Sequence, residues 1–292
     1  MEIDKNIKKI EIKDKDFPTP LAQIPNSPGV LYYRGDLTLG NSPIMAVVGT
    51  RRCSDYGKQA ATEITSGLTR AGFIIVSGLA RGIDTVAHKT ALENKGKTIA
   101  FIGTGLNKKN IYPQENLGLA EKIIEQGGAI ISEQKPDAPG FKSNFLERNR
   151  LISGLSLGVL VIEAKNRSGA LNTANHAFRQ KKKVFSLPGS IYSPNSKGCN
   201  SLIKRGACLI ENANDIIKGL NMDLKIPEKE LIPETEEEEI IIALLKNSKA
   251  MYIDRIIQES GLNPAKVSAT LTNLEMLEKI KNLGGQVYVI SK

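Results

Sequence analysis

The stretch that decides the fold is Leu157-Gly158-Val159-Leu160-Val161-Ile162, followed directly by Glu163-Ala164-Lys165-Asn166-Arg167-Ser168-Gly169. The first six residues are continuously apolar and partly β-branched, which is typical of a strand buried on both faces of a parallel sheet. A helical pattern then opens at Thr173. In open α/β sheets, ligands bind where a strand ends and the next helix begins. The sequence therefore predicts a binding site around residues 163–169.

The same rhythm of apolar segment, Gly or Ser turn and helical pattern extends in both directions from this stretch. Helical patterns such as residues 56–71, with Ser54 or Asp55 as N-cap, separate the apolar segments. The predicted strands are 44–49, 73–77, 98–102, 129–132, 157–162, 184–186 and 207–210. Strands that alternate with helices predict an α/β fold with a Rossmann-like, doubly wound and mostly parallel sheet.

The two ends of the chain lack the alternation of strands and helices that marks its middle part. Residues 1–40 are charged and then Pro-rich, and they are predicted to be an N-terminal arm, with an edge strand within 26–37. The main domain is predicted at 41–220, and a Pro-containing acidic linker at 221–234. Residues 235–292 hold three short helical patterns and a hairpin about Gly-Gly. Three helices followed by a hairpin predict a small C-terminal winged-helix domain.

The charge of the chain favours a polyanionic partner. Residues 1–233 carry 33 Lys+Arg against 22 Asp+Glu, a net charge of +11, whereas the remainder carries 7 against 9, a net charge of −2. A basic main domain of this kind most often binds nucleic acid, although a generally Lys-rich set of proteins in the organism would produce the same excess.

Several other site classes find no support in the sequence. The three cysteines form no CxxC pair, and the chain has neither a signal-peptide core nor an apolar run of about 18 residues, so we expect a cytoplasmic protein with no membrane partner. His88 and His176 stand at no metal-ligand spacing. Because GxGxxG, GxxxxGK[ST] and GxSxG are all absent, we predict no cofactor, no metal and no catalytic residue.

Two glycine turns and a set of flanking cations form the candidate site. Gly49-Thr50-Arg51-Arg52 and Gly78-Leu79-Ala80-Arg81-Gly82 each follow a predicted strand, where backbone N–H groups can approach a phosphate. Tight turns that need positive φ explain the same glycines equally well. Around the 157–162 strand lie further cations and one aromatic residue: Lys142, Phe145, Arg148, Arg150, Lys165 and Arg167. Singly these cations suit a solvated surface, but together with a stacking Phe they indicate single-stranded rather than duplex nucleic acid.

Six motifs, in order along the chain, resemble the DNA-processing protein A (DprA/Smf) family. The resemblance covers about Pro25 to Leu220, with a weaker match in the tail. The motifs are Gly49-Thr50-Arg51, Ser77-Gly78-Leu79-Ala80-Arg81-Gly82-Ile83-Asp84, Phe145-Leu146-Glu147-Arg148-Asn149-Arg150-Leu151-Ile152-Ser153-Gly154, Glu163-Ala164-Lys165-Asn166-Arg167-Ser168-Gly169, Leu187-Pro188-Gly189-Ser190 and Gly198-Cys199-Asn200-Ser201-Leu202-Ile203.

The resemblance implies a homodimer that binds and protects incoming single-stranded DNA and loads the RecA recombinase onto it during natural transformation. The site residues that it implies are Arg51, Lys142, Phe145, Arg148, Asn149, Arg150, Lys165, Ser168 and Gly169. Arg52, Arg81 and Arg167 join them from the charge pattern, which makes twelve candidates in all. Many family members also carry a helical N-terminal domain, which we do not expect in the short segment before the first predicted strand.

Two other functions compete with this prediction. Nucleotide phosphoribohydrolases of the same superfamily resemble the "lonely guy" enzymes, whose PGGxGTxxE motif carries a glutamate where this chain has His176. Without that carboxylate we expect no such hydrolysis. The winged helix could instead read duplex DNA, but its third helix carries only Lys266 as a cation, so we expect it to bind protein or to pack on the main domain. The apolar series 202–220 is predicted to be either core or an exposed protein-binding patch.

Overall fold

The structure is a computed structural model, and it describes residues 6–38, 40–227, 233–248, 250–277 and 279–290. The chain divides into two compact units, Met1–Ile226 and Pro227–Lys292. Residues 228–232, in the predicted linker, lie outside the described residues.

The first unit is built on a nine-stranded sheet. Its strands are β1 (Lys8–Glu11), β2 (Val30–Gly35), β3 (Ile44–Val48), β4 (Ile74–Ser77), β5 (Thr98–Ile102), β6 (Ala129–Ser132), β7 (Gly158–Val161), β8 (Lys183–Ser186) and β9 (Cys208–Leu209). Its helices are α1 (Thr19–Ala22), α2 (Asp55–Arg70), α3 (Ile83–Glu93), α4 (Leu117–Glu125), α5 (Lys142–Leu155), α6 (Gly169–Arg179), α7 (Lys197–Lys204) and α8 (Ala213–Gly219).

The strand order β1-β2-β6-β5-β4-β3-β7-β8-β9 confirms the predicted α/β fold class. The seven strands from β6 to β9 along this order are parallel to one another. At the other end of the sheet, β2 is antiparallel to both of its neighbours, β1 and β6. The chain builds outward from β3 to β6, crosses back through α5, and then builds from β7 on the other side of β3. Because the direction of winding reverses between β3 and β7, their carboxyl ends flank a crevice.

Helices cover both faces of this sheet, which explains why its central strands are continuously apolar. Every residue of β3 and of β7 is buried. One face packs against α1, α5, α6 and α7, and the other against α2, α3, α4 and α8. The apolar series 202–220 mostly belongs to this core, since Leu202, Ile210, Ile216 and Ile217 are buried and Leu209 is exposed.

Three sequence predictions about this unit are wrong. The predicted N-terminal arm contributes β1 and β2 to the sheet, and β2 is not an edge strand because it pairs with both β1 and β6. The apolar residues that anchor this segment, including Ile10, Phe17 and Leu31, are too widely spaced to give a periodic signal. Helix α6 begins at Gly169 rather than at Thr173, because the Ser168 side chain caps it by accepting the Leu171 N–H at 3.4 Å.

Helix α5 has no counterpart among the sequence predictions, and Lys142 is its first residue. Arg148 and Asn149 are buried within it, and they interrupt the apolar period by which a helix is recognised. Phe141 at its N-cap position makes no capping hydrogen bond through its side chain, so the usual start signal is also missing.

The second unit has the elements of a winged helix. Its core includes Ile241, Leu245, Ile256, Val267 and Leu271. The helices are α9 (Glu236–Asn247), α10 (Ile253–Ser260) and α11 (Pro264–Met276), and the strands are β10 (Met251–Tyr252), β11 (Ile280–Asn282) and β12 (Val287–Ile290), which form an antiparallel sheet in the order β10-β12-β11.

Candidate functional site

A cleft of about 1220 Å³ opens at the switch point of the first unit. Its walls include the loop after β3, the loop after β7, the N-terminal half of α5, and residues 109–114. Ten of the twelve candidate residues line it: Arg51, Arg52, Lys142, Phe145, Arg148, Asn149, Lys165, Arg167, Ser168 and Gly169. They come together because the strand ends and the crossover helix meet at one edge of the sheet.

Backbone contacts fix the loop that carries Arg51 and Arg52. The Thr50 N–H donates to the Glu163 carbonyl at 2.7 Å, and the Thr50 carbonyl accepts from the Ile83 N–H at 3.2 Å. Gly82 makes this approach possible, since it has φ 76° and a Cβ there would lie 2.3 Å from the Thr50 carbonyl oxygen. The loop is thereby held between the end of β7 and the start of α3, and both arginine side chains extend into solvent.

A buried carboxylate joins the two main loops of the cleft. Glu163, which is buried at the end of β7, accepts the Ser54 N–H at 2.9 Å and the Ser54 hydroxyl at 2.6 Å. Ser54 is also the N-cap of α2, so this contact fixes the start of that helix. This role of Glu163 was not identified from the sequence. The signal that could have revealed it is a carboxylate directly after a buried strand.

The cleft is strongly cationic. Among the described residues, seven lysines and arginines line it, and the one acidic residue in its lining, Asp84, is buried. Five of the seven are exposed and form no ion pair within 4.0 Å in the described part of the chain: Arg51, Arg52, Lys142, Lys165 and Arg167. Cations that no local carboxylate neutralises produce a positive potential, which a concave surface concentrates.

Arg148 differs from these exposed cations because it is buried in the floor of the cleft. Its Nη1 donates to the Gly78 carbonyl at 2.8 Å and also to the Phe101 carbonyl. Burial lowers the pKa of Arg148 to about 10, while nearby Asp84 opposes that shift. Its guanidinium therefore holds the ends of β4 and β5 to α5. Gly78 is required at this point, because a Cβ would lie 2.7 Å from the Asp84 carboxylate and 2.8 Å from Arg148 Nη1.

Asn149 and Ser168 orient the start of α6 at the cleft. The Asn149 amide donates to the Gly169 carbonyl at 3.2 Å and to Asn172 Oδ1 at 3.1 Å, which ties α5 to α6. Ser168 caps α6, and a Cβ on Gly169 would meet no atom within 4 Å. The first turn of α6 therefore lies beside open space, and its unpaired N–H groups favour an anion there.

Arg81 and Arg150 are the two of the twelve candidate residues that do not line the cleft. Arg81 is 60% exposed and pairs with Glu115 at 2.7 Å. Arg150 pairs with Glu133 at 2.7 Å and donates through Nε to the Asn26 carbonyl at 3.0 Å. Arg150 follows Arg148 by two residues, which places it about 200° further around α5 and away from the cleft.

An aromatic partner of Phe145 and a further cation in the cleft were missed from the sequence. Tyr112 is 51% exposed, and its ring centroid lies 5.7 Å from that of half-buried Phe145, with 59° between the rings. Lys109 lies on the same wall. No motif marks the loop 103–113, so only the fold brings these residues to Phe145. Phe145 itself fits against Gly103, where a Cβ would lie 2.8 Å from its ring.

Neither histidine is placed for chemistry in this cleft. His88 is fully buried, its Nδ1 lies 2.7 Å from Thr98 Oγ1, and burial lowers its pKa to about 3. His176 lies in a separate cavity beside Arg150. Within the described ranges, no three His, Cys, Asp or Glu residues are grouped to hold a metal ion, and no helix is long and apolar enough to cross a membrane.

Comparison with known proteins gives a consistent result. The family model for "DNA recombination-mediator protein A" matches residues 8–221, and the model for "DprA winged helix domain" matches residues 226–286. Protein Smf of Escherichia coli is 46% identical over 208 residues, which are 71% of this chain and 55% of that protein. DNA processing protein DprA of Streptococcus pneumoniae is 44% identical over 206 residues, 70% of this chain and 72% of that one.

Two solved structures are similar over about three quarters of this chain. DNA processing protein A from Streptococcus pneumoniae superposes with a TM-score of 0.69 at 40% identity and covers 76% of each chain. DNA processing protein A from Helicobacter pylori, described for its single-stranded DNA binding mode, has a TM-score of 0.66 at 33% identity. That match covers 77% of this chain and 100% of the other.

Proposed function

The chain belongs to the DNA recombination-mediator protein A family, and from this premise we propose that it binds single-stranded DNA in the switch-point cleft, in the cytoplasm. The observation that carries the proposal is the combination of five exposed, unpaired cations with the Phe145–Tyr112 pair around one concave site. The solved relative from Helicobacter pylori, whose single-stranded DNA binding has been described, supports the same assignment.

The chemistry of the cleft suits a single strand better than a duplex. Exposed Lys and Arg side chains can follow a phosphate backbone, and each contact with a phosphate releases counterions. Aromatic rings can stack on unpaired bases, which contributes roughly 1–3 kcal/mol per base without demanding a particular sequence. In a duplex the bases are already paired and stacked, so Phe145 and Tyr112 would have no partner there.

A titration that compares a labelled oligothymidine with duplex DNA of equal length tests this function. The single strand should bind more tightly, and its affinity should fall steeply between about 50 and 200 mM salt as counterion release weakens. Equal or tighter binding of the duplex at both salt concentrations would contradict the proposal.

We further propose that the bound strand is protected incoming DNA, passed to RecA by a homodimer of this chain during natural transformation. Family membership supports this finer role. A test follows RecA filament growth on DNA that is precoated with single-strand-binding protein. A loader accelerates filament growth, whereas a protein that merely coats the strand slows growth at every ratio to DNA.

A nucleotide-hydrolysing role is less well supported. In the part of the chain that the structure describes, the only acidic residue that lines the cleft is Asp84. It is buried, and its carboxylate accepts the Gly78 and Ala80 N–H groups at 3.2 and 3.4 Å. Glycoside-type hydrolysis needs carboxylates that can reach the substrate. We therefore assign the site to binding alone.

A further inference from the structure

We propose that the loop Ser190–Ser193, called the 190s loop, is a second base-stacking contact for a single strand that leaves the cleft. The proposal rests on the single-stranded DNA binding proposed above. Its side chains Ile191 and Tyr192 are 73% and 88% exposed, so Tyr192 is the most exposed of the large hydrophobic residues in the described part of the chain. Neighbouring apolar residues in such exposure commonly mark a binding surface.

Hydrogen bonds of Asn195, two residues after this loop, place it near the loops after β3 and β7, which line the cleft. The Asn195 side-chain amide donates to the Arg52 carbonyl at 3.1 Å, and the Asn195 carbonyl accepts from the Ala164 N–H at 2.7 Å. Ala164 precedes Lys165, and Arg52 follows Arg51. Because Asn195 and Tyr192 are three residues apart, their Cα atoms can be separated by at most about 11 Å. The 190s loop, which follows β8 in the chain, therefore lies next to the rim of the cleft.

The loop is held in a defined shape, which a stacking contact requires. Its first and last residues are joined by the Ser193 N–H, which donates to the Ser190 carbonyl at 3.0 Å. Before it, the Asn200 side chain pairs with the backbone of Gly189 at 2.9 and 3.3 Å, and the Tyr56 hydroxyl donates to the Pro188 carbonyl at 2.7 Å. An aromatic side chain on an ordered turn binds with a small entropic cost, because little of the backbone remains to be fixed.

The surroundings favour nucleic acid over protein as the occupant. Exposed Arg52 and Lys165 lie on the two segments that Asn195 contacts, and exposed Lys197 begins α7 four residues after the loop. Surfaces that bind single-stranded nucleic acid combine cations, which contact the phosphates, with exposed aromatic rings, on which the bases stack. The cleft would hold one part of the strand, and Tyr192 would stack on a base that follows it.

The sequence contains no tryptophan, so a tryptophan introduced by substitution is the only indole in the molecule and reports on its own surroundings alone. In the Tyr192→Trp variant, oligothymidine should quench the indole fluorescence with the same midpoint as cleft binding. The matched control is Tyr252→Trp, at an exposed tyrosine on β10 of the second unit, where no quenching is expected. In parallel, Tyr192→Ala should weaken oligothymidine binding about fivefold or more, and Tyr192→Phe should retain it.

The outcomes separate this inference from the function on which it rests. If the wild-type chain fails to bind single strands, the proposed function fails first. If the wild type binds but Tyr192→Ala binds equally well and the Tyr192→Trp indole does not respond, the 190s loop has no role in DNA contact and the inference alone is overturned. A change in oligomeric state of Tyr192→Ala with unchanged DNA affinity would likewise overturn it, by assigning the loop to self-association.

Discussion

At the scale of single residues, Arg51 and Arg148 line the same cleft but differ in what surrounds their guanidinium groups. Arg51 is exposed on a loop, whereas Arg148 is buried and donates to the carbonyls of Gly78 and Phe101. Removal of a buried donor leaves those acceptors unsatisfied, which costs about 1–3 kcal/mol. Removal of an exposed cation costs stability little.

We therefore expect Arg148→Ala to lower the melting temperature by several degrees, as a loss of about 1–3 kcal/mol in the free energy of unfolding would do. Arg51→Ala should melt close to the wild type. Thermal denaturation of both variants, followed by circular dichroism, checks the contrast. If Arg148→Ala melts like the wild type, the inward hydrogen bonds assigned to Arg148 are not maintained in solution.

The sequence identified most cations of the site because charge and motif order are local properties. It could not distinguish Arg148 from Arg150, since burial and orientation depend on where α5 lies in the fold. Arg150 instead pairs with Glu133, and Arg81 with Glu115. Tyr112 was missed for the same reason, because its proximity to Phe145 exists only once the chain has folded.

At the scale of elements, α5 is the part of the fold on which the site depends most. It crosses from β6 to β7, carries Lys142 and Phe145 at its N-terminal end, and packs its C-terminal half in the core through Leu151, Ile152 and Leu155. Its position at the cleft is set by small neighbours, since the Phe145 ring and backbone lie close to Gly103 at the end of β5.

Gly103→Ala should displace Phe145 and the start of α5, because its Cβ would lie 2.8 Å from the Phe145 ring and 3.0 Å from its backbone nitrogen. We expect overpacking to cost about 1–3 kcal/mol in the free energy of unfolding and to weaken oligothymidine binding. The matched control is Gly118→Ala in α4, where a Cβ would meet no atom within 4 Å. That change should leave binding intact and stabilise the helix slightly. Parallel melting curves and titrations test this, and equal behaviour of the two variants would contradict it.

Prediction of the elements succeeded where a strand is buried on both faces and failed where tertiary contacts define the element. The predicted strands 98–102 and 129–132 coincide with β5 and β6. In contrast, β1 and β2 are recognisable only through their pairing with one another and with β6. Helix α5 was missed because its buried Arg148 and Asn149 hide its apolar face.

At the scale of the whole molecule, the two units differ in how they use charge. In the first unit, five exposed cations around the cleft form no ion pairs among the described residues. In the second unit, a buried carboxylate is paired with a lysine of the same unit. Glu238 accepts from Lys279 Nζ at 2.9 Å, from the Asn273 amide at 3.0 Å and from the Glu234 N–H at 3.1 Å. Burial tends to raise the pKa of Glu238, but these contacts together hold it below its ordinary value of 4.5.

A carboxyl group whose pKa is lower in the folded state stabilises that state above its unfolded pKa and loses the effect as the pH falls through its folded pKa. Glu238→Gln should therefore be less stable than the wild type at about pH 7, and the difference should narrow as the pH falls below 4.5. Calorimetry of both full-length chains across this range measures the difference. A gap in stability that is constant with pH would show that ionised Glu238 contributes nothing.

The central claim is that single-stranded DNA binds in the cleft between the ends of β3 and β7, and the most direct test compares three variants in one oligothymidine titration. Arg51→Ala and Lys142→Ala each remove an exposed cation of the cleft, while Arg81→Ala removes one that lies outside it and pairs with Glu115. We predict that each cleft variant binds about tenfold or more weakly, as expected for the loss of one charged contact with a phosphate, and that Arg81→Ala stays within about twofold of the wild type. Equal affinities for all three variants, or a larger loss in Arg81→Ala than in either cleft variant, would contradict the claim.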